Sequence, residues 1–160
     1  MFFQKSHTHL HKDIQNQTTS HMMKPILKNI IEVAVADVRH FKDITVILGT
    51  GVKIERLHYF QPLPLVGLAA CSDTSKIVNK SRIYTVTLTA LLSSGFDDCC
   101  RNLLFLLTAA DGSRYVLGCD ERPYPTISTT YSYSGKTTEA SGCTMTVEWV
   151  STHGLLRVIE

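Results

Sequence analysis

Histidines, cysteines and a Gly-Thr-Gly turn are the residues of this chain with chemistry to offer. His7, His9 and His11 form the run HTHLH, and neutral imidazoles at that spacing suit zinc, copper or nickel. Metal ligands need neighbours that hold their rings in place. Residues 1–22 are rich in His, Gln, Thr, Lys and Ser and poor in core-forming side chains. They read as a flexible arm that offers no such neighbours, so no metal is expected there. Met22 ends this segment and Met23 follows it, both precede an orderly apolar pattern, and the biological start at one of them is the other reading.

The cysteines are Cys71, Cys99, Cys100, Cys119 and Cys143. Their number is odd, two are adjacent, and CxxC does not occur. That pattern fits neither a zinc site nor a disulfide framework, and it suits reduced thiols in a cytosolic setting. Gly49-Thr50-Gly51 follows an apolar strand, as in dinucleotide folds. The phosphate-binding version needs a third glycine and a helix, whereas VKIERLHYF comes next and alternates like a strand. Nucleotide binding is therefore not expected.

Nucleophilic catalysis needs a nucleophile, a base and an orienting group in one pocket. Of the other histidines, only His58 falls within a predicted strand, where ring packing is the simpler role. His153 sits in a turn, and GxSxG does not occur. The acids Asp97, Asp98, Asp111, Asp120 and Glu121 lie in turn-like segments suited to capping and solvation. The expectation is a non-enzymatic protein with no cofactor. The strip Arg122, Tyr124, Tyr131 and Tyr133 is the candidate contact surface, because tyrosine and arginine combine large area with a polar tip. The plainer reading is that these rings merely cover a sheet face.

These side chains hang on β-strands. From Arg82 to Leu92, Tyr84, Val86, Leu88 and Ala90 alternate with Thr85, Thr87 and Thr89. From Cys143 to Trp149, Cys143, Met145, Val147 and Trp149 alternate with Thr144, Thr146 and Glu148. Successive strand residues point to opposite faces, so each stretch has one apolar face and one wet face. Further strands are expected at 26–38 (Ile31, Val33 and Val35 inward), 44–48, 52–60 and 126–133, with a terminal strand at 155–159. A change of phase near Glu55 or Arg56 predicts a β-bulge in 52–60. Asp111-Gly112 predicts a two-residue hairpin turn joining 102–109 to 113–118. A helical turn is expected near 97–101. Leu63 to Leu68 reads as an edge segment, and 71–81 and 134–142 read as polar loops.

The chain has 160 residues, with 44% hydrophobic and 19% charged side chains and a net charge of +2. One domain over 23–160 is the natural reading, burying roughly 70% of its unfolded surface. The charge balance makes no electrostatic case for nucleic acid or an anionic membrane. No apolar run reaches the roughly 18 residues of a membrane span, and the N-terminus lacks a signal peptide's apolar centre. About nine or ten short strands separated by turns predict an all-β fold, an antiparallel β-sandwich or barrel with at most one short helix.

The segments GSRYVLGCDERPYP and SGCTMTVEWVSTHGLL, with the Asp-Gly hairpin before them, resemble small uncharacterised β-rich proteins encoded in phage and prophage clusters of gut bacteria. The resemblance covers about residues 101–158. It implies a structural component of a virion or mobile element, a tail or head–tail joint, found in the cytoplasm or the virion. The expected partners are further copies of the chain, as a homo-oligomer, or other particle proteins. The alternative is a module that holds a small ligand or carbohydrate in loops 119–126 and 134–142, with Tyr124, Tyr131 and Tyr133 stacking on it.

Overall fold

The two alternating stretches lie side by side at the centre of one sheet. In the computed structural model, which describes residues 29–42, 44–47, 51–97, 101–133, 135 and 141–159, eleven strands are present. They are β1 (Ile30–Asp37), β2 (Thr45–Ile47), β3 (Gly51–Lys53), β4 (Gln61–Pro62), β5 (Ala70–Val78) and β6 (Ser81–Leu92), then β7 (Leu103–Ala109), β8 (Arg114–Leu117), β9 (Thr126–Ser132), β10 (Gly142–Ser151) and β11 (Leu156–Arg157). The expected arm 1–22 with its four histidines, residues 23–28, Gly49 and Thr50, Asp98, Cys99 and Cys100, and most of 134–142 lie outside the described residues.

One sheet has the order β5-β6-β10-β9, a second β11-β8-β7-β1-β4, and β2-β3 form a small third. Every ladder is antiparallel. The sheets pack as in a β-sandwich and close no barrel. On the inner face of β6 and β10, Val86 stands opposite Trp149, Leu88 opposite Val147, Ala90 opposite Met145 and Leu92 opposite Cys143. All eight are buried. Burying apolar area at roughly 25 cal/mol per Å² is what drives these faces onto the facing sheet. There β7 is buried along nearly its whole length, including Leu104, Phe105 and Leu107. Such two-sided burial explains why LLFLLTA shows no alternation.

Several elements differ from the expectation. The stretch 71–81 is a strand and turn, not a loop: β5 pairs with β6 from Ala70 to Val78. Apart from half-buried Cys71 its side chains are exposed, so no apolar alternation marks it. The turn carries φ of 48° at Asn79 and 67° at Lys80, the two positive values that a primed hairpin turn requires. The predicted strand 52–60 ends at Lys53, and Leu57–Tyr59 is a 3-10 turn. The phase change near Glu55 marks the end of a strand and not a bulge. His58 is therefore exposed on a turn instead of packing mid-strand.

A bulge does occur in β1, where the register shifts between Ile30 and Glu32. The extra residue, Ile31, turns outward and is 50% exposed, although alternation places it inside. The Asp111-Gly112 turn is a three-residue loop. Ala109 N–H donates to the Ser113 carbonyl and Gly112 N–H to the Ala109 carbonyl, and Gly112 alone has positive φ, 84°. That is a type I turn followed by a left-handed glycine. The segment 63–68 ties the sheets together. Leu63 N–H donates to Val33 O of β1, and Val66 N–H to Leu91 O of β6.

Asp37 closes β1 and caps the 3-10 turn Val38–His40, its Oδ1 accepting from Arg39 N–H at 2.9 Å. The Arg39 guanidinium lies 2.7 Å from Oδ2. Hydrogen bonding to that guanidinium lowers the Asp37 carboxyl from its ordinary 3.8 to about 2. Ionised Asp37 therefore stabilises the fold above about pH 4, and this contribution is lost as pH falls through about 2. Between pH 5 and 2, the native chain should lose about 1 kcal/mol more stability than Asp37→Asn, after allowing for the solvent around Arg39. Urea denaturation at the two pH values measures the difference. Parallel losses would show that the pair contributes nothing.

Candidate functional site

The four candidate contact residues fall into two groups at opposite ends of β9. Arg122 and Tyr124 lie in the loop that enters the strand, while Tyr131 is near its end and Tyr133 just beyond. The five residue steps of strand from Thr126 to Tyr131 separate the groups by about 17 Å. The structure therefore does not bring the four rings and charges into one strip.

At the first end, the loop 119–125 folds over the tip of Trp149. Its indole Nε1–H donates to the Pro123 carbonyl at 2.8 Å. Tyr124 is half-buried, and its hydroxyl donates to the Asp120 carbonyl of the same loop at 3.4 Å. A shallow groove of about 360 Å³ runs beside this loop, lined by Ile83, Cys119, Arg122, Trp149 and His153 among others. Cys119 is the thiol within reach of that groove, and burial pushes its pKa up. Burial likewise pushes Cys71 up to about 12. Both stay protonated at neutral pH, and a protonated thiol is a poor nucleophile and a poor metal ligand. Cys143 is buried on the inner face of β10, as its position in the alternation predicts.

At the other end, Tyr131 and Tyr133 stack with ring centroids 6.4 Å apart. Tyr131 is 45% and Tyr133 86% exposed. The Tyr131 hydroxyl donates to the Phe96 carbonyl at 3.2 Å, and its ring rests against Gly95. Between the two ends, β9 forms an edge of its sheet. Among the described residues no strand lies beyond it. The opposite edge is β5, whose hairpin with β6 outruns the sheet. β10 pairs with β6 only as far as Tyr84, so Ser81–Ile83 are held by β5 alone. Near the hairpin tip Ile77 is 68% exposed.

One cluster went unmarked in the sequence. Tyr59 stacks on His40 with centroids 4.8 Å apart, and His58 sits 4.3 Å from the same ring. Phe41 meets Tyr59 edge-on. These residues come from two separate 3-10 turns, so no local spacing could have announced them. Among the described residues, no group of three His, Cys, Asp or Glu could hold a metal ion. Among the same residues, no helix is long and apolar enough to cross a membrane.

No family model, curated protein or solved structure matches this chain. Among the described residues, the candidate site offers unpaired strand backbone, hydroxyls and aromatic rings along the β9 edge.

Proposed function

We propose that the chain is a non-enzymatic structural protein that acts by self-association, as part of a phage- or prophage-derived particle such as a tail or head–tail joint. The observation that carries this reading is the four-stranded sheet. Its two outer strands, β5 and β9, are long, exposed except at half-buried Cys71 and Ile127, and without a further strand beside them among the described residues. An edge with unpaired N–H and C=O groups is a template for a neighbouring chain. The projecting hairpin with Ile77 near its tip adds apolar area for a neighbour to cover. The segments 101–158 that resemble phage-cluster proteins point to the particle.

The stacked Tyr131 and Tyr133 favour a second reading, a module that holds a small ligand or carbohydrate against exposed rings. Light scattering of the purified chain separates the two. Self-association predicts a mass of two or more chains at micromolar concentration. A monomer whose melting temperature rises with a sugar from a panel would overturn the first reading and support the second.

A further inference from the structure

We infer that two copies of this chain pair antiparallel through β9, about a two-fold axis at Thr129, and join their four-stranded sheets into one of eight strands. The inference deepens the self-association reading and rests on it.

The backbone of β9 is poised for this pairing. The hydroxyls of Thr126 and Ser128 donate to the carbonyls directly opposite, Glu148 O at 3.2 Å and Thr146 O at 3.5 Å. In an antiparallel pair, a carbonyl points toward its partner only where the two residues exchange hydrogen bonds. The even-numbered residues of β9 thus spend their backbone groups on β10. Ile127, Thr129 and Tyr131 turn theirs to the open side. A two-fold axis at Thr129 lets these three residues make about six ladder hydrogen bonds with their copies.

Among the described residues of β9, none opposes a neighbour. Natural edge strands are guarded by charges, prolines or bulges. No charged residue occurs from Thr126 to Gly135. The register with β10 runs unbroken from Thr126 to Ser132, and Pro125 stands just outside the strand. In a two-fold pair any charge near the axis faces its own copy, so an uncharged strand is what self-pairing needs. The other edge, β5, carries Asp73 and Lys76.

The side chains are self-complementary in this register. On one face Tyr131 meets Ile127 of the second copy, and Tyr133 meets Pro125. On the other face Ser128 meets Thr130, and Thr126 meets Ser132. Aromatic rings against β-branched residues and hydroxyl against hydroxyl are favourable cross-strand pairs. Ile127 and Pro125 are each half-exposed in the single chain, and the two tyrosines more so. Moving the axis to Tyr131 would set Ile127 against Gly135, and moving it to Ile127 would set Tyr131 against Pro123. Thr129 is the centre that matches every apolar residue with another.

Sedimentation of the full chain tests this. The native chain is expected to form dimers, or larger assemblies built from them. Thr129→Lys sets two lysines face to face at the axis and should weaken dimerisation at least tenfold. Its circular-dichroism spectrum should be unchanged, since Thr129 is exposed, and its melting temperature should fall only by what the lost pairing contributed. Mixing Thr129→Lys with Thr129→Glu should restore pairing, because the axis brings position 129 of one copy against position 129 of the other. Self-association of Thr129→Lys as tight as that of the native chain would overturn the β9 pairing and leave the broader assembly reading standing. A mixture that fails to pair would overturn the register. A native chain that stays monomeric at every concentration would overturn both readings.

Discussion

Trp149→Ala is expected to lower unfolding stability by about 3–5 kcal/mol, the usual cost of emptying a buried aromatic site. Trp149 is 1% exposed and stands opposite Val86 on the inner face. It also joins two parts of the molecule, because its Nε1–H holds the carbonyl of Pro123 in the loop that leads into β9. Removing the ring therefore leaves a cavity, lacking its dispersion contacts, and a carbonyl without its donor. Trp149→Phe separates the two effects. It keeps most of the ring, loses the hydrogen bond, and should cost about 1–3 kcal/mol. Guanidinium denaturation followed by circular dichroism measures both. A loss below about 1 kcal/mol for Trp149→Ala would mean that the core does not close around this residue.

Gly51→Ala should cost about 2–4 kcal/mol, by a different route. Gly51 opens β3 with φ of 135°, in the region that glycine alone occupies readily. A Cβ there would collide with the carbonyl oxygen of Arg157. That oxygen belongs to backbone and cannot swing aside. The C-terminal segment would have to move, yet Val158 bridges Val52 and Ile159 N–H donates to the Val52 carbonyl at 2.9 Å. Val52 is fully buried beneath this closure. Gly112→Ala is the control. Its φ is 84° and nothing lies within 4 Å of the added carbon, so only the left-handed strain of about 1–2 kcal/mol applies. Equal losses for the two variants would show that the close approach to Arg157 is not what makes glycine necessary at position 51.

How much of the fold is legible in the chain depends on the surroundings of each element. β6 and β10 have one buried face and one wet face, and their residues alternate accordingly. β5 has two wet faces, and its polar run ACSDTSKIV is indistinguishable from a loop until β6 is placed beside it. Ile31 belongs to the alternation by type, but one extra residue in the ladder turns it outward. The candidate contact residues are divided in the fold. Residue type singled out Arg122, Tyr124, Tyr131 and Tyr133, but the straight run of β9 sets them at two ends. The His40–Tyr59–His58 cluster was invisible, because its members meet only where two 3-10 turns come together.

By itself the order of amino acids determined the all-β class, the hairpin of β7 and β8, and the buried place of Trp149. Each follows from local alternation or turn chemistry, which a residue carries wherever the chain goes. Only the tertiary structure decided which strands became edges, and so which backbone groups of β9 no other strand takes up among the described residues. An edge is a property of what lies beside a strand, and the free energy that arranges the sheets comes from apolar faces far apart in the chain.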